Sequence, residues 1–122
     1  MDDRADDVAM PTAVTNYFAA LGAAPGGPGV VRGRDLSEVF ADDAVVTDDG
    51  RSYRGIDEVR GWMDGPATEW EVTYTDLSVQ ATAAGVVVTT RLEGNFPGGV
   101  VVLRNTFELN GAGRITSLSI TV

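Results

Sequence analysis

The sequence predicts an α+β domain: a strongly bent antiparallel sheet with three helices from the N-terminal half packed on its concave face, forming a cone with a pocket. Three observations carry this. Helical periodicity is confined to residues 12–63, whereas two-residue alternation dominates from residue 69 onward. The later strands are joined by the tight connections "PGG" and "NGAG", so they are hairpin neighbours and antiparallel. The alternation slips by one residue near Thr75 and Asp76, as it does at a bulge, and a bulge bends a strand.

Residues 1–11 are acidic and small and read as a disordered leader; residues 12–122 read as a single domain. Thr12 caps the first helix, where Val14, Tyr17, Phe18 and Leu21 fall on one face and Gly22 is the stop. "GAAPGGPG" cannot continue a helix and reads as a flexible connection. A second helix is expected over 34–43, "RDLSEVFADD", with Asp35 as cap and Glu38 three residues on. Residues 44–55 then form two short strands around an Asp49-Gly50 turn. A third helix over 56–63 buries Ile56, Val59, Trp62 and Met63.

The remainder is strand. Over 69–80, Trp70, Val72 and Tyr74 share one face until the slip hands that face to Leu77 and Val79. Strands follow at 86–96, 99–109 and 114–122.

Composition excludes much chemistry. The chain has no His, no Cys and no Lys, which removes thiol nucleophiles, Schiff-base lysines and the usual zinc sites. Acid–base work falls to Asp, Glu or Tyr. Nine basic residues, all Arg, stand against eighteen acids for a net charge of −9, so nucleic acid is not an expected partner. No apolar run is long enough to span a membrane, and the acidic start "MDDRADD" is unlike a secretory leader; a cytoplasmic protein is the default. The carboxylates lack calcium-loop spacing, and neither a metal nor a cofactor is expected.

Asn105 is the outlier in this pattern. It alternates with Leu103 and Phe107 on an apolar face, where an amide without partners costs stability. A neighbouring backbone group, a buried water or a ligand could satisfy it. Tyr17 sits on the apolar helix face beside Phe18, and Asp48 shares its strand face with Val46. Each has a plain reading: a core tyrosine for one, a hairpin residue for the other.

The runs "VTNYFAAL", "LSEVFADDAVVTD", "YRGIDEVRGWM" and "FELNGAGRITSLSI" resemble, in this order, the nuclear transport factor 2-like superfamily, and within it the SnoaL-like and ketosteroid isomerase-like proteins. The resemblance implies a cystatin-like α+β cone holding a small apolar ligand with a carbonyl or similar oxygen, and a homodimer through the outer sheet face. In the isomerases a tyrosine and a late-strand acid hold a developing enolate while an aspartate moves the proton. Carried over, these roles fall on Tyr17, Asn105 and Asp48. The expected apolar lining is Phe18, Phe40, Val46, Trp62, Met63, Trp70, Leu103, Phe107 and Leu118. The alternative is a non-catalytic ligand-binding or scaffolding protein of the same fold. "TTRLEG" also resembles the Arg-x-Asp pair of limonene epoxide hydrolases, but the last strand lacks the further carboxylate they need; Arg91 and Glu93 read as a cross-strand ion pair on the outer sheet face.

Overall fold

A computed structural model describes residues 10–20, 36–65 and 72–122. The leader up to residue 9, the connection with Gly22, the Asp35 cap and Trp70 lie outside the described residues. In chain order the elements are helix α1 (Thr12–Ala20), a single 3-10 turn (Leu36–Glu38), strands β1 (Phe40–Asp48) and β2 (Arg51–Arg54), helix α2 (Gly55–Asp64), and strands β3 (Val72–Ala81), β4 (Gly85–Gly94), β5 (Val100–Leu109) and β6 (Ile115–Thr121). The strands form one sheet in the order β2-β1-β6-β5-β4-β3, curled but not closed.

The α+β class and the helix-on-sheet packing are as the sequence predicts, and two details differ. The sheet is mixed, because β1 runs parallel to β6 while every other neighbouring pair is antiparallel. Among the described residues there are two α-helices and not three. The helix expected over 34–43 is a single turn at Leu36–Glu38, and Phe40 already begins a strand. Pairing with the last strand overrides local preference here. Phe40 is opposite Ile115, and the Ile115 N–H donates to the Val39 carbonyl at 2.9 Å. Between Phe40 and Val45 the chain spends five residues against the two from Ile115 to Ser117, so Asp42 and Asp43 bulge into solvent.

Two local expectations, the tight turn and the register slip, hold. Asp49 and Gly50, with φ of 54° and 76°, make the two-residue turn between β1 and β2. The register of β3 on β4 slips between Tyr74 and Asp76, leaving Thr75 as the bulged residue. Glu58 caps α2 by accepting a 2.8 Å hydrogen bond from the Arg54 N–H. The Arg91–Glu93 pair on the outer face lies along one strand and not across two as expected; across to β3, Arg91 donates instead to Thr75 Oγ1 at 2.9 Å.

The core lies between the inner sheet face and the helices. Val46, Leu118, Phe107 and Val86 are neighbours along one rung across β1, β6, β5 and β4, and all are buried. Val14, Tyr17 and Phe18 from α1 and Val59, Trp62 and Met63 from α2 cover them. Each large side chain withdrawn from water in this way contributes about 1.5–3 kcal/mol.

Candidate active site

One rung further along the same strands, the inner face turns polar. Asp48 pairs with Ile120, and Ile120 pairs with Asn105. The two polar residues are thus on one face with a single strand between them, about 10 Å apart at their Cα atoms from the usual strand spacing. Asp48 is the last inward residue of β1 because the Asp49-Gly50 turn follows at once. Tyr17 descends from α1. All three border one cavity of ≈ 940 Å³, shared with Tyr53, Trp62, Tyr74, Leu92, Leu103 and Ile120 among others.

Each polar side chain is held. Asp48 Oδ2 accepts a 3.1 Å hydrogen bond from the indole Nε1 of Trp62. That bond fixes the carboxylate's rotation and leaves its other oxygen for a ligand. The Trp62 ring in turn stacks parallel to Tyr17, with centroids 6.3 Å apart. Phe18, Phe40 and Phe107 meet the Tyr17 ring edge-on at 5.0, 6.0 and 5.6 Å. Ring packing therefore aims the hydroxyl, with Tyr17 itself only 2% exposed.

Burial pushes the Tyr17 hydroxyl well above the usual tyrosine range, and the nearby Tyr74 and Asp48 push it the same way. Tyr74 is pushed up to about 12 by burial. Both are neutral hydrogen-bond donors at neutral pH.

Asn105 is 3% exposed, and its amide nitrogen donates to the Val88 carbonyl at 2.9 Å and to Thr90 Oγ1 at 3.3 Å. A carbonyl only accepts, so the –NH₂ end must be the end facing Val88. Both amide hydrogens are consumed by β4, which corrects the oxyanion-donor role expected of Asn105. What it has left is the carbonyl oxygen Oδ1. Neither Tyr17 Oη nor Asn105 Oδ1 has a hydrogen-bond partner among the described residues, yet no fully enclosed side-chain oxygen or nitrogen among them lacks one. Both residues border the cavity.

Of the apolar lining expected from sequence, Trp62 and Leu103 border the cavity. Phe18, Phe40, Val46, Met63, Phe107 and Leu118 do not: they are buried in the helix-sheet core beneath it. Alternation marks a residue as inward but not as core or cavity. Tyr53, Tyr74 and Ile120 were not expected in the lining. Tyr74 was legible, since it shares a strand face with Val72 ahead of the bulge. Among the described residues no group of three or more carboxylates converges as a metal would require.

No family model matches the sequence and no curated protein matches it at the sequence level. Solved structures do match. A candidate polyketide cyclase from Sinorhizobium meliloti aligns over 92% of this chain and 95% of its own, with a TM-score of 0.72 and 26% identity. The chain shares the fold of this protein. A protein with a ketosteroid isomerase-like fold from Catenulispora acidiphila, in complex with trimethylamine, aligns over 93% of this chain and 87% of its own (TM-score 0.68, 20% identity). A nuclear transport factor 2-like protein from Anabaena variabilis aligns over 89% and 82% (TM-score 0.66, 15% identity). The chain thus has the fold shared by ketosteroid isomerase-like and nuclear transport factor 2-like proteins.

Proposed function

We propose that the cavity binds a small, largely apolar carbonyl compound and moves a proton next to its carbonyl group, in isomerisation or cyclisation. The observation that carries this is the joint placement, on one cavity, of a carboxylate oriented by an indole and a neutral tyrosine hydroxyl with no hydrogen-bond partner among the described residues. The free oxygen of Asp48 takes the proton from the carbon next to the carbonyl. The C–H electron pair becomes the enolate C=C bond as the carbonyl π pair moves to oxygen, where the Tyr17 hydroxyl donates a hydrogen bond and Tyr74 offers a second. The proton then returns to a different carbon, which isomerises the ligand. Alternatively the enolate carbon attacks a second carbonyl of the same molecule, and the proton goes to the new alkoxide, which closes a ring. The polyketide-cyclase description of the Sinorhizobium meliloti neighbour supports this class.

The test is exchange of the α-protons of 2-tetralone in D₂O, followed by proton NMR. The parent protein is expected to accelerate exchange over buffer, and Asp48→Asn to lose about 10²–10⁴ of that acceleration. Exchange at equal rates in parent and Asp48→Asn sinks the reading.

A second reading, a ligand-binding protein without chemistry, is supported by the trimethylamine complex of the Catenulispora acidiphila neighbour. It predicts broadened tetralone signals with no gain in exchange. Under either reading we propose a homodimer through the outer sheet face, where Val100 and Val102 are 49% and 46% exposed. Light scattering giving the monomer mass over a wide concentration range overturns that. No helix among the described residues is long and apolar enough to cross a membrane.

A further inference from the structure

We infer that Asn105 Oδ1 is an acceptor subsite that selects ligands carrying a neutral O–H or N–H donor at a distance from the reacting carbonyl. The inference rests on the proposed use of the cavity and adds the chemistry of the ligand's other end. Three features lead to it.

The first is direction. Val88 offers only an acceptor to the Asn105 amide, at 2.9 Å, and Thr90 Oγ1 lies 3.3 Å from the same nitrogen, so the carboxamide cannot turn round without losing the Val88 bond. The second is need. Oδ1 is a strong acceptor on a residue 3% exposed, with no partner among the described residues. No other described residue satisfies that oxygen, which leaves it for what enters the cavity. The third is the setting. Leu103 and Ile120 flank Asn105 in the lining, along the strand and across it. Arg51 is the cationic lining residue among those described, and it belongs to the β1–β2 hairpin on the far side of Asp48. Apolar walls around a lone acceptor suit a neutral donor better than a hydrated cation.

The ligand so described is bifunctional. Its enolisable carbonyl lies against Asp48 and Tyr17, and its hydroxyl or N–H lies one strand away against Asn105. A ligand with only an acceptor there, such as an ether or ketone, would bring two oxygens face to face with no proton between them.

Calorimetric titration with 6-hydroxy-1-tetralone, its 6-methoxy ether and 1-tetralone tests this. The parent protein is expected to bind the hydroxyl compound about ten-fold more tightly than the ether. Asn105→Leu is expected to level the two affinities, and Asp48→Asn to keep the preference. A preference that survives Asn105→Leu, vanishes in Asp48→Asn or is absent from the parent overturns the subsite while the cavity reading stands. Failure of all three probes to bind the parent overturns both. Should Asn105→Leu fail to fold, a crystal structure of the parent with 6-hydroxy-1-tetralone decides. The probe's hydroxyl within hydrogen-bond distance of Asn105 Oδ1 supports the subsite, and its placement elsewhere overturns it.

Discussion

Two adjacent rungs of the sheet share strands, face and alternation, yet they end in different environments. The lower rung, Val46–Leu118–Phe107–Val86, is closed by α1 and α2 and is wholly buried. The upper rung, Asp48–Ile120–Asn105–Val88, borders the cavity at its first three positions. Only two residues of chain separate them on each strand. The difference lies in the cover. Where Tyr17 and Trp62 end, close packing ends, and the next rung meets open volume. Polar side chains are tolerated there because each has a protein partner on one side and the cavity on the other: Trp62 for Asp48, Val88 and Thr90 for Asn105. A pocket in this fold is thus a core rung whose lid has been lifted.

The most disruptive way to probe that comparison is to excavate the lower rung. Phe107→Ala is expected to cost about 3–5 kcal/mol of stability, because it opens a cavity under Tyr17 and Phe18. The matching change one step up, Asn105→Leu, is expected to cost about 1 kcal/mol: it loses the bonds to Val88 and Thr90 but adds an apolar group beside Leu103. Denaturant melts of the two variants check this, and equal losses would mean that the upper rung is core as well.

A smaller effect is expected at the boundary between the rungs. Trp62→Phe keeps a ring to stack on Tyr17 but removes the donor to Asp48 Oδ2. Stability should fall by about 1.5 kcal/mol. The kcat for α-proton exchange should fall about ten-fold with KM nearly unchanged, since the carboxylate is no longer held in one orientation. A KM effect without a kcat effect would make Trp62 a binding wall only.

The smallest effect concerns alkali. Tyr17 and Tyr74 titrate above their unfolded value near pH 10, Tyr74 at about 12, because burial disfavours the phenolate. Their neutral forms are favoured by the fold, so this contribution to stability is complete below about pH 10 and is lost as pH rises through the window up to about 12. Thermal melts should decline between about pH 10 and about pH 12, and Tyr74→Phe should flatten the decline. An identical slope in that variant would place the alkaline weakness elsewhere in the chain.

Much was legible in sequence because it was local. The bulge at Thr75 showed as a slip in alternation, the β1–β2 turn as Asp49-Gly50, and the inward faces of β5 and β6 as period-two patterns. The shared inward orientation of Asp48 and Asn105 follows from that same period, and the role of the tyrosine on the first helix came with the family resemblance. These features depend on sterics and on side-chain direction within a few residues, and a linear pattern records both.

Tertiary structure alone decided the rest. It drew Phe40 out of an expected helix into a strand, since the partner that stabilises it, Ile115, lies at the far end of the chain. It set the sheet as mixed rather than antiparallel, and it decided at which rung the core stops, sending Phe107 to the interior and Asn105 to the cavity. It also turned the Asn105 amide toward a carbonyl 17 positions away, which makes an acceptor of a residue expected to donate. The physical reason is common to all of these. Each depends on which distant group occupies the neighbouring space, and a two-residue period says where a side chain points but not what it meets there.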